Sequence, residues 1–542
     1  MSPRRKMPTK AELIRLQKLY KTDEKIGERL GGVPAYLVAY WRRKKNVPKH
    51  SLPKFSEKEI RDLWERFGDD DKCGLELGIS KAAFYNWRRR YGIREKPAFL
   101  KLEQLELNFP GLKLHPALNS LYGKKTMSQK ILARAAQLEK AEVGQTIQIE
   151  PDLVVCHTNA GQIIDDFKKL GSELVWNPGR IALSLANCSG DGDDEKISEA
   201  HRKIREFVRR QGIKAFYDVT EGSCHQVALE KGQTLPGNVI IGTDPYTASY
   251  GCISAIATGI DTQQAATVWS TGQHSFEIPP AVRIDINGRR ARGVYTRDIA
   301  HSVMRQLSAV DINGRAVEYY GNVLSRMTIS ERFTLANLTV DMGAISAACA
   351  FDSITRRFLT GRTSAHYTPI IADKNAEYEQ IYQINIDHLT PQLARPGSAD
   401  DIRPVTEREG LAVSLIVLGT SSNGRFDDLR VAAEILKGKQ VNSECRLLVY
   451  PASRSVYLEA LKKGLVRVLV EAGAVVMYPG YWDCSGIAES LVAPGERVLI
   501  TANNRLVDRI DAETSEVYLC SPATAAASAI NGAITDPARY VK

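Results

Sequence analysis

Apolar positions fall into two rhythms along the chain. From Thr126 onward, short β-branched runs at residues 239–241, 411–418 and 498–500 are separated by helical stretches and glycine turns. That alternation predicts an α/β body with several parallel sheets, whose strand-end loops are the usual place for a ligand. Before Thr126 the spacing is helical and repeats. Residues 10–31 lie on 57–78 at an offset of 47, pairing Leu13 with Ile60, Leu16 with Leu63, Tyr20 with Phe67, Asp23 with Asp70 and Leu30 with Leu77. After Gly32 the offset is 46, pairing Val33 with Ile79, Trp41 with Trp87 and Val47 with Ile93.

Each repeat reads as a first helix, a short helix from Asp23 or Asp70, a glycine-containing turn and a third helix, which is helix-turn-helix logic. Ser80 suits an N-cap, and Pro34 an opening helical position. The third helices end in Trp41-Arg42-Arg43-Lys44-Lys45 and Trp87-Arg88-Arg89-Arg90. The indoles are expected in the core. The cations Arg42, Arg43, Lys44, Lys45, Arg88, Arg89 and Arg90 are expected at phosphates, with Lys81, Tyr85 and Asn86 facing base edges. Basic helix C-termini also satisfy the helix dipole, and trihelical units also bind proteins.

Charge strengthens the nucleic-acid expectation. Residues 1–100 hold 25 Lys+Arg against 13 Asp+Glu, so the chain's whole net charge of +10 is carried there. A basic end on a nearly neutral body suggests a polyanion partner such as DNA. The expected division is a tandem helix-turn-helix DNA-binding module at 1–95 (repeats about 10–50 and 57–95), a linker at 96–125 with Pro97, Pro110 and Pro116, and a body at 126–542. No apolar run is long enough to span a bilayer, and nine unpaired cysteines argue for reduced thiols, so a cytoplasmic protein without a membrane partner is expected.

One loop of the body is ambiguous by composition. Gly419-Thr420-Ser421-Ser422-Asn423-Gly424-Arg425 follows an apolar run and precedes a helix expected from Asp427 through Leu436. It reads either as an anion loop on helix N-terminal amides or as an ordinary turn.

Taken together, the body's loops resemble the aconitase superfamily, in the branch of the 3-isopropylmalate dehydratase and homoaconitase large subunits. The resemblance runs from Thr126-Met127-Ser128-Gln129 to Thr535-Asp536-Pro537. Its most specific stretches are His225-Gln226 continuing through residues 236–244, then 332–344, 423–437 and 516–526. It implies three α/β/α domains around a cleft, a swivelling small subunit as a separate chain, and reversible hydration of a hydroxy-acid at a 4Fe–4S cluster held by three cysteines.

The chain departs from that pattern where the chemistry is carried. The first cluster cysteine falls on Ser421, and the Cys-x-x-Cys pair after Pro479-Gly480 falls on Tyr481 and Cys484, leaving Cys484 as the one matching metal ligand. The family's Asp-His before an asparagine falls on Leu185-Ala186, and its Asp-Ser-His on Asp244-Pro245-Tyr246. The resemblance keeps His225, Asp244, Glu318 and the shortened Asp341 as catalytic candidates. It keeps Asn337, Ser421, Asn423, Arg505 and Arg509 as substrate-binding candidates.

Two functions are weighed on these residues. The leading expectation is a DNA-binding regulator whose catalytically degenerate body senses a carboxylate metabolite or a partner and binds no cofactor. The alternative is a divergent hydro-lyase with a separate small subunit and either a 4Fe–4S cluster or an atypical iron site, for which Cys188, Cys224 and Cys484 are the available thiols. It assigns carboxylate binding to Arg505 and Arg509 and proton handling to His225, Asp341 or Tyr246.

Overall fold

The computed structural model describes residues 7–20, 22–48, 55–67, 70–93, 123–157, 159–185, 194–396, 401–419, 423–479, 492–503 and 515–541. The chain divides into two compact units, Met1–Leu105 and Glu106–Lys542.

The first unit carries the two repeats. Helices α1 (Lys10–Tyr20), α2 (Asp23–Arg29) and α3 (Ala35–Lys44) form one, and α4 (Glu57–Phe67), α5 (Asp70–Glu76) and α6 (Lys81–Arg90) the other. Leu13, Ile26, Val33, Val38, Trp41 and Val47 fill the first core, and Ile60, Trp64, Cys73, Phe84 and Ile93 the second. Ser80 caps α6 by accepting from the Ala83 amide, whereas Pro34 stands one position before α3, at its N-cap. Gly27 and Gly74 are equivalent in the two repeats and lie against backbone. A Cβ would stand 1.9 Å from the Val33 carbonyl oxygen in the first and 2.8 Å from that of Ile79 in the second, so only glycine lets the turn close on the short helix.

Two of the expected phosphate contacts are instead internal. Arg42 and Arg88 are buried at 6% and 8% exposure. Arg42 grips Asp23 with two hydrogen bonds of 2.8 Å and donates to the Val47 carbonyl, tying the end of α3 to the start of α2 and to the chain beyond. Arg88 does the same with Asp70 and the Ile93 carbonyl. Arg43, Lys44, Lys81, Tyr85, Asn86, Arg89 and Arg90 are exposed and Lys45 half-buried.

In the second unit, Lys124 and Lys125 are already joined to the body, their carbonyls accepting from the amides of Glu377 and Asp373. The expected linker therefore ends before residue 124, and residues 96–122 lie outside those described. Among the described residues three sheets of four or more strands follow, besides an antiparallel pair of Thr146–Ile149 with His274–Glu277. One has five parallel strands in the order Ala215–Tyr217, Ile181–Ser184, Leu153–Cys156, Val239–Gly242, Ile256–Gly259. A second has four parallel strands, Ser346–Cys349, Ala316–Tyr320, Ala281–Asn287, Gln380–Asn385.

The third sheet has seven strands. Glu516–Cys520, Arg497–Ile500, Leu415–Gly419, Arg446–Tyr450 and Val475–Val476 are parallel, and Gln392–Ala394 and Ile402–Pro404 add an antiparallel edge. The apolar run at 411–418 thus becomes a strand only from Leu415. Its first residues are drawn off sideways, Ala412 bridging to Ala533 and the Val413 amide donating to the Gly532 carbonyl. The following helix, Phe426–Leu436, begins one residue earlier than expected.

Candidate functional site

In both larger sheets the chain reverses its winding direction beside a central strand, and the crevice at such a switch point is where α/β folds place ligands. In the five-stranded sheet it lies between Leu153–Cys156 and Val239–Gly242. The residues that follow these strands are His157 and Asn159 on one side and Thr243 and Asp244 on the other. Asn159 donates to the Thr243 carbonyl at 3.2 Å and accepts from its hydroxyl at 2.8 Å, clipping the two strand ends together.

Asp244 caps the 3-10 helix Pro245–Ile253, accepting from the Tyr246 amide at 2.8 Å. The same carboxylate oxygen lies 3.7 Å from His225 Nε2, and His225 Nδ1 lies 3.5 Å from the Cys224 sulfur. Burial holds the His225 imidazole below its usual value, and the nearby His157 adds to this while Asp244 opposes it. At neutral pH His225 is therefore an uncharged ring able to accept a proton.

A nine-residue 3-10 helix is long for its kind. Pro245 fixes its first turn, and Gly251 lets it press on the neighbouring sheet, where a Cβ would stand 1.5 Å from the Ala347 carbonyl oxygen. The helix packs along Ile329–Thr339 and the turn Val340–Met342. Tyr246 donates its phenol proton to Asp341 at 2.6 Å, and Asn337 donates to the Ser249 hydroxyl at 3.0 Å. His225, Asp244 and Asp341 are thus joined through Tyr246, one of the three proton-handling candidates, which stands where the family pattern has a histidine.

Glu318 is not in this group. It is fully buried and accepts from the amides of Met127 and Ser128, the Ser128 hydroxyl and the phenols of Tyr320 and Tyr378. Its carboxylate caps the helix Met127–Ala135, a structural duty. Leu185, at the end of its strand, is buried and apolar where the family pattern has a carboxylate.

The second crevice lies between Leu415–Gly419 and Arg497–Ile500. Here Arg297, 1% exposed, donates to Asn423 Oδ1 at 3.1 Å, to the Thr501 carbonyl at 2.7 Å and to the Ala502 carbonyl. Asn423 in turn donates to Asp428 at 3.1 Å. Burial pulls the Arg297 guanidinium down to about 10 while the fields of Cys520, Asp341 and Asp298 resist, so it remains a cation. Sequence reading missed this residue, although Arg297, Asp298 and His301 are buried titratable groups on one helix, Thr296–Leu307. Ser421, Arg505, Arg509, Cys188 and Cys484 lie outside the described residues.

The chain matches the family model for aconitase (aconitate hydratase) over residues 129–410 and 401–532. It is 41% identical over 418 residues to the 3-isopropylmalate dehydratase large subunit 1 of Methanopyrus kandleri, covering 77% of this chain and 100% of that one. It is 35% identical to the 3-isopropylmalate dehydratase large subunit of Clostridium botulinum, covering 76% and 99%. Against the probable methanogen homoaconitase large subunit of Methanosarcina mazei the identity is 36%, covering 69% and 95%.

These matches overturn two expectations. The body aligns along essentially the whole length of proteins named as dehydratase large subunits, so the leading expectation of a DNA-binding regulator with a non-catalytic body is withdrawn. The expectation of no cofactor falls with it, because dehydratase large subunits of this family typically bind a 4Fe–4S cluster. The donor set does not fit a three-thiolate cluster: Ser421 and Tyr481 offer hard oxygens, and only Cys484 a thiol. Burial pushes the thiols of Cys156, Cys349 and Cys520 up to about 12, which disfavours these three as thiolate ligands. No step is therefore routed through a cluster.

Proposed function

The chain belongs to the aconitase family, and from that premise we propose that it is the large subunit of a hydro-lyase. Its substrate class is a hydroxy-dicarboxylic acid related to 3-isopropylmalate or homoaconitate, and a separate small subunit completes the site. The observation that carries this reading is the group at a switch-point crevice in which hydrogen bonds join Asp244 to Tyr246 and Tyr246 to Asp341, with His225 3.7 Å from Asp244, in a body aligned with complete dehydratase large subunits.

Elimination of water requires a base for the C–H proton beside a carboxylate and an acid for the departing hydroxyl. Neutral His225, oriented by Asp244, suits the first task. The Asp341 carboxylate, held by its phenol donor, accepts a hydrogen bond from the departing hydroxyl, which leaves with a proton drawn from solvent. Arg505 and Arg509 are assigned to the substrate carboxylates, with Ser421 and Asn423 on the loop beside buried Arg297. The test is co-purification of the full chain with a dehydratase small subunit, followed by ultraviolet detection of the conjugated double bond formed from 3-isopropylmalate. Turnover that requires both chains supports the reading, and no complex and no turnover would remove it.

For the head we propose a separate property, contact with duplex nucleic acid. It is supported by the excess of cations in residues 1–100 and by the exposure of Arg43, Lys44, Lys81, Arg89 and Arg90 beside Tyr40 and Tyr85. With Arg42 and Arg88 committed internally, Arg43, Lys44, Arg89 and Arg90 are the expected phosphate contacts that stand exposed among the described residues. Binding of the full chain to random-sequence duplex should weaken with salt, and replacing Arg43, Lys44, Arg89 and Arg90 together by Ala should flatten that dependence. Salt-independent or absent binding would end the proposal.

A further inference from the structure

The contact between Tyr246 and Asp341 belongs to a seam. In a 3-10 helix residues three apart eclipse one another. Tyr246 and Ser249 are three apart on one element, while Asn337 lies in the α-helix Ile329–Thr339 and Asp341 in the 3-10 turn Val340–Met342 that follows it. They pair crosswise: Tyr246 with Asp341 at 2.6 Å and Asn337 with Ser249 at 3.0 Å, the Ser249 hydroxyl also closing on the Tyr246 carbonyl at 2.6 Å. All but Asp341 are at least nine-tenths buried. A long phenol here meets a carboxylate on a short side chain, so its reach compensates for the missing methylene.

We infer that Tyr246 is a positioning residue that holds Asp341 as an oriented carboxylate at the crevice. The inference rests on the hydro-lyase reading for its purpose but on the seam for its existence. An O–H donated to a carboxylate favours the ionised form, and hydrogen bonds to charged groups are among the stronger ones. Among the described residues, the other charged and titratable groups near this pair are Arg297 from the helix Thr296–Leu307, Asp244 at the head of the 3-10 helix, and His225 and His157 beyond it. Arg297 favours the Asp341 carboxylate, Asp244 opposes it, and neither is altered by changing the phenol.

Two readouts on the full chain separate this inference from the function it serves. The first is the difference in unfolding stability between the unaltered chain and Tyr246→Phe, followed from pH 8 down to pH 4. If the phenol serves an ionised Asp341, the difference is present at high pH and shrinks as Asp341 is protonated. In an Asp341→Asn background it becomes independent of pH. A phenol that only fills space gives the same difference at every pH in both backgrounds, and that result overturns the inference.

The second readout is the pH profile of turnover on 3-isopropylmalate with the small subunit present. Tyr246→Phe should move the acid limb upward by about one pH unit with KM changed less than about threefold, and Tyr246→His, which keeps a donor, should recover part of the shift. An acid limb unmoved in Tyr246→Phe also overturns the inference. A chain inactive on every substrate but showing the pH-dependent stability difference removes the function and leaves the seam's role standing.

Discussion

Arg88 closes on Asp70 through two hydrogen bonds of 2.9 and 3.1 Å, and Arg42 closes on Asp23 in the same way one repeat earlier. The clamp joins the last turn of each third helix to the first residue of the short helix before it. Arg88 also lies 3.8 Å over the Trp64 ring, which adds a cation–π contact in the second repeat. Breaking such a pair strands the partner's charge, so Arg88→Ala should destabilise the second repeat by about 3 kcal/mol. Amide hydrogen exchange should show faster opening of α4–α6 in this variant. Arg89→Ala should leave exchange unchanged.

The third helices also show what a sequence makes legible. Val38 and Arg42, like Phe84 and Arg88, are four apart and therefore share the inward face of a helix. A run of cations at a helix end hides this, since each looks equally ready for solvent, and only the face it falls on separates clamp from contact. Long-range pairing left no such local signal. The parallel strands were readable because buried strands are apolar along their length, yet the run at 411–418 concealed that its first residues bond to 532 and 533. Nothing near Tyr246 in the chain announces Asp341. Arg297 was equally unannounced, since its helix also carries Asp298, His301 and Arg305, and only burial separates it from a surface cation.

Asp298 gives the body a pH-dependent stability. Burial raises its carboxyl to about 7 against the hydrogen bonds from Gln392 and Tyr295, while an unfolded aspartate titrates near about 3.9. Between these values the folded chain holds a proton that the unfolded chain has released. Stability should therefore fall as pH rises from about 4 to 7 and level off above, by up to about 4 kcal/mol for this group. Urea unfolding of Asp298→Asn across the same range should lack this part of the slope.

Arg297 carries the second crevice on three hydrogen bonds to Asn423, Thr501 and Ala502. Arg297→Met leaves buried carbonyls without donors and should cost about 3 kcal/mol in chemical denaturation. Arg297→Lys keeps the charge but cannot reach all three acceptors, and should fall between the two.

His225 works as a base only when uncharged, and burial keeps it uncharged below its usual range. Turnover should therefore persist from neutral pH to below about 6.5, and the acid limb beneath it reports the protonation of His225 and Asp341 together. His225→Gln should lower kcat by roughly a hundredfold or more while KM moves little, which steady-state kinetics would read directly.

The central claim is that this body eliminates water from a hydroxy-dicarboxylic acid in partnership with a small subunit. Its most direct test is turnover of 3-isopropylmalate by the full chain, prepared without oxygen in the presence of iron and sulfide, with and without the small subunit. The account predicts a conjugated product only when both chains are present, and its loss in His225→Gln. Absence of product from the complete mixture, with 3-isopropylmalate and homoaconitate alike, would contradict it.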